Sequence, residues 1–249
     1  MISPVKIGNN FSRVAPHYEQ HADIQYLLAE RLLEQIKQQN ISPDKILDIG
    51  CGTGRLTQAL LRQYPYAAVM GLDVSREMVK AAKDRGIEAV SADAQELPFR
   101  DETFNLIVSN AAYQWVGNLA AAFQEARRIL REEGIFIISC FGRNTLKELR
   151  DCFGIRESVL PEKGALCDGL IAAGFSKINV ERDMFHKYFD TTGSLLYWLK
   201  RTGANRIYKS QPRISRGRFK EANDFYSRNC RHNGKIYAEF EVFYATARR

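Results

Sequence analysis

Ile46-Leu47-Asp48-Ile49-Gly50-Cys51-Gly52-Thr53-Gly54 is the stretch that decides the fold of this 249-residue chain. An apolar run carrying one acidic residue breaks into glycines at every second position. A helical pattern, Arg55 to Gln63, follows at once. Such a run reads as a buried parallel strand, and the glycines let the backbone turn tightly and approach a ligand closely. The spacing is G-x-G-x-G. It differs from the G-x-G-x-x-G fingerprint that seats a pyrophosphate on a helix N-terminus.

Four more apolar runs follow, and each ends on a small or polar group. Ala67–Leu72 ends on Asp73, which lies 19 residues beyond Gly54. Ile87–Ala92 ends on Asp93-Ala94, Asn105–Ser109 on Asn110-Ala111, and Gly134–Ser139 on Cys140-Phe141. Arg55–Gln63, Ser75–Asp84 and Leu119–Arg131 have helical periodicity between them, with Ser75 read as an N-cap. The alternation predicts an α/β doubly wound, mostly parallel sheet. Ligands of such sheets bind in the crevice at the C-terminal strand ends. A single Asp after a strand is often only a helix cap. Asp48, Asp73 and Asp93 stand in register at successive strand ends, which points to a site. A carboxylate at the tip of the second strand can accept hydrogen bonds from both hydroxyls of a ribose.

The flanks predict the rest of one domain spanning 1–249. Residues 1–44 form an N-terminal extension in which Ile24, Leu28, Leu32 and Ile36 mark one helical face as far as about Gln39. Residues 45–185 form the core, with further helices over Thr145–Phe153 and Gly164–Gly174 and a strand over Lys177–Phe185. A final strand, Lys235–Thr246, falls within 235–249. Residues 186–234 are an insert that the sheet does not need, suited to a lid or recognition role.

Composition is ordinary for a globular protein, with 45% hydrophobic and 26% charged residues. No apolar run is long enough for a membrane span, and the first residues lack a signal-peptide core. The five cysteines, Cys51, Cys140, Cys152, Cys167 and Cys230, form no C-x-x-C. That argues against a metal site and favours a reducing cytoplasm. Charge is uneven. Residues 1–185 carry 22 Lys and Arg against 24 Asp and Glu, whereas 186–249 carry 14 against 5. The basic segment calls for an anionic partner.

The glycine motif with its downstream carboxylates resembles the class I S-adenosylmethionine-dependent methyltransferases. The resemblance implies a Rossmann-like sheet with an antiparallel C-terminal edge strand. It also implies S-adenosylmethionine as cofactor, bound by Asp48, Gly50, Gly52, Gly54, Asp73, Val74, Asp93, Ala94 and Asn110. In that class the Asp of the third strand bonds the adenine amine, which falls to Asp93. A closer resemblance covers the whole chain. Phe11-Ser12-Arg13-Val14-Ala15-Pro16-His17-Tyr18, followed by Gln20-His21-Ala22 and Gln25, is similar to the N-terminal signature of the malonyl-acyl-carrier-protein O-methyltransferases of biotin synthesis. Asn110–Trp115, Cys140–Leu149 and Leu199–Ala204 resemble that family's later signatures. The departures are Cys140 in place of Thr, and Tyr113 in place of Leu or Met.

That family methylates the free carboxylate of a malonyl thioester, masking its charge so that the product can prime fatty-acid synthesis. A malonyl carboxylate is already ionised near pH 7, so no general base is required. A dry pocket must give it a partner, and an arginine fork suits two oxygens. Arg143, after the fifth strand, is the expected grip, with Lys200 and Arg201 next. Tyr18, Gln114 and Trp115 are expected to line the acceptor pocket, while His17 and His21 are read as structural. Acyl carrier protein is acidic, so Arg213, Arg216 and Arg218 are expected to meet it, with malonyl-coenzyme A as the other possible acceptor. Rival readings are a methyltransferase for RNA or another small acid, and a non-enzymatic S-adenosylmethionine-binding module. Asn110-Ala111-Ala112-Tyr113 lacks the Pro-Pro-aromatic tetrapeptide of RNA amine methylation, so nucleic acid is disfavoured. The oligomeric state is open.

Overall fold

A computed structural model describes residues 3–153, 158–203 and 215–249. Helix α1 (Pro4–Val14), a 3-10 turn (Ala15–Gln20) and α2 (Asp23–Gln38) precede the core. The core then alternates β1 (Lys45–Ile49), α3 (Arg55–Gln63), β2 (Ala68–Asp73), α4 (Arg76–Lys83), β3 (Ala89–Ser91), β4 (Phe104–Asn110), α5 (Leu119–Ile129) and β5 (Leu130–Phe141). Helices α6 (Lys147–Phe153) and α7 (Lys163–Ala172) lead into β6 (Ser176–Phe189). The insert contributes α8 (Thr192–Arg201) and α9 (Arg216–Asn229), then β7 (Arg231–His232) turns into β8 (Lys235–Arg248).

The sheet order is β3-β2-β1-β4-β5-β8-β6, with β7 beside β8. The first five strands of that order are parallel, and β8 is antiparallel to both β5 and β6. The expected antiparallel pair therefore closes that side, with β6 outermost and β8 inside it. The strands of the pair run longer than expected. β6 continues four residues past Phe185 because its pairing with β8 holds through Phe189 opposite Ile236. The fifth strand likewise begins at Leu130, ahead of Gly134, through a bulge opposite Phe104. Helix α1 has no counterpart in the sequence reading. Its signals are Pro4 at the first turn and Ser3 as N-cap, with Oγ accepting from the Lys6 N–H at 3.4 Å.

Both faces of the sheet are covered, which is why its strands read as unbroken apolar runs. Ile46, Leu106, Val108 and Ile137 face the predicted α2 stripe, Ile24, Leu28, Leu32 and Ile36. Leu195, Trp198, Leu199 and Tyr226 of the insert belong to the same buried cluster. Leu47, Ile107, Phe136 and Ile138 face α5 and α7 through Phe123, Ala126, Leu166 and Leu170.

The turn after β5 is fixed by a buried acid. Glu241 of β8 is 3% exposed and accepts from the Asn144 N–H at 2.8 Å, Asn144 Nδ2 at 3.0 Å and Arg182 Nε at 2.7 Å. The Thr145 hydroxyl donates to the Glu241 carbonyl at 2.9 Å. With Thr145 so engaged, α6 begins at Lys147, two residues later than predicted. Glu241→Ala strips three donors of one acceptor and should cost about 2 kcal/mol of stability. A urea melt with an unchanged midpoint would show that the turn holds without it.

Candidate functional site

Three adjoining cavities open along the C-terminal strand ends. The first is bounded by Gly50, Gly52, Asp73, Val74, Asp93, Ala94 and Asn110, seven of the nine residues expected to hold a cofactor. Its roof is the N-terminal segment, through Pro4, Ile7, Phe11 and Tyr18. The second cavity lies over the glycine turn, between Asp48, Gly50, Gly52 and Asn110 on one side and Tyr18, Gln25 and Arg55 on the other. The third is an aromatic chamber with Phe11, Trp115, Phe141, Trp198 and Phe240 in its walls, joined by Tyr18, Gln25 and Gln114. Tyr18 lines all three cavities.

The floor is built from backbone held by carboxylates. Asp73, 8% exposed, accepts from the Gly52 N–H at 2.9 Å and the Ser75 N–H at 2.8 Å. Burial pushes its carboxyl up to about 6, against the pull of those two bonds. Each oxygen keeps a lone pair for a ligand hydroxyl. Ser75 caps α4 as predicted, its Oγ accepting from the Met78 N–H at 3.3 Å. A Cβ at Gly52 would meet nothing within 4 Å, so the turn faces open space where a ligand fits. Asp93 is closed on Gln95, accepting from its backbone N–H at 3.0 Å and from Nε2 at 2.9 Å. Asn110 is pinned at both ends, Nδ2 donating to the Gln25 carbonyl at 2.8 Å and Oδ1 accepting from Ser139 Oγ at 2.7 Å.

Gly54 stands at the N-cap of α3. It starts α3 at φ +87°, and a Cβ there would stand 2.2 Å from Ile87 Cδ1. Helix packing and a left-handed backbone account for it, and it lines none of the three cavities.

The roof is latched by Glu19. Its carboxylate accepts from the Thr53 hydroxyl and from the Tyr26 hydroxyl at 2.5 Å, with Arg85 at 3.4 Å. Burial opposes ionisation of Glu19, yet these donors outweigh it and hold its pKa below the ordinary value. The insert grips the same segment. Asn10 Nδ2 donates to the Gly203 carbonyl at 3.0 Å, and Trp198 Nε1 to the His21 carbonyl at 2.8 Å. A Cβ on Gly203 would press on Asn10 and Phe11 at 3.1 Å, so a glycine permits this approach. Tyr18 keeps its proton: burial, then Asp73, Tyr26 and Glu19, raise its phenol well above its usual pKa. His21 is half-buried against the Tyr197 ring at 5.8 Å, and burial, then Arg201, lowers its pKa.

The expected basic residues stand elsewhere. Arg143 is exposed and pairs with Glu162, and it lines none of the three cavities. The reason is the turn itself: Asn144 and Thr145 point inward to Glu241, which leaves Arg143 outward. Trp198 and Thr202, one helical turn apart, carry the face of α8 that meets the chamber. Lys200 is exposed, and Arg201 donates from Nε to the Tyr197 hydroxyl at 2.9 Å. Arg216 and Arg218 are exposed on the first turn of α9, and Arg213 lies outside the described residues. Gln114 and Trp115 do line the chamber, Gln114 being 5% exposed and donating from Nε2 to the Ala111 carbonyl at 2.6 Å.

Sequence reasoning gave no role to Phe11, Gln25, Met78, Trp198 or Thr202, all of which line these cavities. Phe11 and Gln25 stand inside the N-terminal signature and Thr202 inside the Leu199–Ala204 signature, which were their only signals.

Asp48 sits beneath the glycine turn at 1% exposure, with Oδ2 accepting from the Thr57 hydroxyl at 2.7 Å and Oδ1 unpartnered. Burial lifts it from 3.8 to about 7. An acid with a raised native pKa binds its proton more tightly when folded, so stability falls as pH rises from about 4 to about 7. Asp48→Asn should remove about 2–4 kcal/mol of that fall. Urea midpoints at pH 5 and pH 8 test this; an identical fall in the variant would assign the slope to other groups.

Residues 47–138 match the model of a methyltransferase domain. A malonyl-[acyl-carrier protein] O-methyltransferase of Geobacter sulfurreducens is 34% identical over 82% of this chain and 82% of that protein. One of a Methylovorus species is 32% identical over 99% of this chain and 89% of its own length. Among solved structures, the YcgJ protein of Bacillus subtilis superposes with a TM-score of 0.64 at 19% identity, over 88% of this chain and 97% of that one. At that identity the likeness speaks to fold alone.

Proposed function

The chain belongs to the malonyl-[acyl-carrier protein] O-methyltransferase family, and from that premise we propose that it methylates the free carboxylate of a malonyl thioester on acyl carrier protein, with S-adenosylmethionine as donor. The observation that carries the reading is the meeting of three cavities at Tyr18. The first suits an adenosine, with Asp73 for the ribose hydroxyls and Asp93 beside the base. The second suits the amino-acid end of the donor, over the Gly50–Gly52 turn. The third suits an acyl group.

S-adenosylmethionine supplies a methyl group on a positively charged sulfur. One carboxylate oxygen would form the new O–C bond as the donor's C–S bond breaks, with no proton transfer required. Anion and cation become a neutral ester and a neutral thioether. Charge is lost along the reaction, so a site that keeps water off the carboxylate favours the transition state over the ground state. The aromatic walls Phe11, Trp115, Phe141, Trp198 and Phe240 exclude that water. Tyr18 remains a donor across the working pH range and serves as an orienting group, never as a base. The methyl ester ends the acyl chain without charge, as a primer for biotin-directed chain extension requires.

Incubation with S-adenosylmethionine and a panel of malonyl-acyl-carrier-protein, malonyl-coenzyme A, a succinyl thioester and bulk RNA tests the reading. S-adenosylhomocysteine should form with malonyl thioesters, and release with RNA alone would sink it. Asp73→Ala should weaken donor binding by about 1–3 kcal/mol. Unchanged calorimetric affinity would confine Asp73 to holding the Gly52 turn.

Arg216 and Arg218, exposed on α9 within the basic segment, suit an acidic carrier. Reversing both to Glu should raise the apparent KM for malonyl-acyl-carrier-protein at low salt and leave malonyl-coenzyme A kinetics unchanged. Exposed charges act mainly by steering, so the difference should shrink as salt rises. Equal loss on both acceptors would remove α9 from carrier docking.

A further inference from the structure

Among the described residues, Gln25 is the one side chain besides Tyr18 that lines both the cavity over the glycine turn and the aromatic chamber. Its Oε1 is buried without a hydrogen-bond partner, and among the described residues its amide group makes no hydrogen bond at all. A buried amide oxygen without a partner costs stability, and native proteins seldom leave one so. Gln114 Oε1 is likewise buried without a partner, but the nearby threonine hydroxyls and the Gln114 amide nitrogen already donate within the protein. Thr145 Oγ1 donates to the Glu241 carbonyl at 2.9 Å, Thr202 Oγ1 to the Trp198 carbonyl at 3.1 Å, and Gln114 Nε2 to the Ala111 carbonyl at 2.6 Å.

The backbone that carries Gln25 is fixed from the site side. Its carbonyl accepts from Asn110 Nδ2 at 2.8 Å, and Asn110 is locked in turn by Ser139 at 2.7 Å. Gln25 stands in the first turn of α2, where backbone N–H groups present a positive field. Asp23 of the same turn is engaged by Lys187 and by Trp198 Nε1. A free primary amide is thus held on a fixed backbone at the seam where a donor's methyl group and an acyl chain would meet.

We propose that Gln25 donates an amide N–H to the acceptor carboxylate and so aims its attacking oxygen at the methyl group, an assignment that rests on the carboxylate-methylation reading above. A malonyl thioester brings carboxylate and carbonyl oxygens, which only accept, so the protein must supply the donors. The terminal torsion of Gln25 is free to turn its Nε2 to the ligand, since no bond is broken by doing so. A neutral donor also fits the chemistry better than a cation. It orients the oxygen yet leaves the negative charge to be cancelled by the methyl transfer itself, where a cation would hold the ground state more firmly than the neutralising transition state.

The test uses the full-length protein and three variants, Gln25→Leu, Gln25→Asn and Gln25→Glu, with S-adenosylmethionine affinity read by calorimetry. Gln25→Leu should lower kcat/KM about 10- to 100-fold, the range for a lost hydrogen bond to a charged group. The loss should be equal for malonyl-acyl-carrier-protein and malonyl-coenzyme A, with the donor's Kd within about twofold of wild type, which also reports a folded site. Gln25→Asn keeps the polarity but withdraws the amide by one carbon, and should lose nearly as much. Gln25→Glu sets a like charge against the acceptor and should lose more than either. Wild-type kinetics in Gln25→Leu overturn the assignment. A tenfold weaker donor Kd with acceptor KM unchanged overturns it as well, and gives the amide to the donor's own carboxylate. If the wild type turns over no malonyl thioester, the carboxylate reading falls and this assignment with it.

Discussion

The Asp73 carboxylate, bound to the Gly52 N–H at 2.9 Å, ties the end of β2 to the turn that leaves β1. Much of the site depends on that link. It fixes the glycine turn while the residue side of Gly52 stays open to the cavity. The same carboxylate holds the Ser75 N–H, and so aligns the start of α4 under the first cavity. Burying an ionised acid in this way is costly, and its raised pKa is the sign of that cost. Two backbone donors offset part of it, and a ligand's hydroxyls would offset more.

Around this floor, the walls come from parts of the chain that are remote in sequence. The N-terminal segment crosses the strand ends and is latched at Glu19 to Thr53 and Arg85. The insert reaches the same segment from the other side, through Gly203 to Asn10 and through Trp198 to His21. Phe11 and Tyr18 therefore face the first cavity and the aromatic chamber at once. One short segment is a shared wall, so the packing that seats one ligand shapes the pocket for the other.

Carboxylate methylation, as proposed, needs no nucleophile–base pair of the kind many transferases use. The proposed acceptor arrives ionised, and the donor carries the driving charge. What the protein contributes is dryness and aim. Tyr18 and Gln25 line both the glycine-turn cavity and the chamber, and five aromatic rings stand in the chamber's walls. Arg143 has a different employment, in a surface pair with Glu162.

The sheet and the order of its core helices could be read from the chain's apolar periods and turn residues. Strand cores and the α2 stripe were legible because burial on two faces, or on one helical face, imposes a period on apolar residues. That Gly50, Gly52, Asp73, Val74, Asp93, Ala94 and Asn110 meet at one cavity was legible because a parallel sheet puts its strand ends in one crevice. The walls of the cavities were set by packing between distant segments. Gly54 went to helix packing and Arg143 to the surface, because the direction of a side chain in a turn follows from what its neighbours bury, here Asn144 and Thr145 on Glu241. Gln25 and Trp198 entered the site through contacts across 85 and 177 residues, and no local period in a sequence encodes an approach over such a distance.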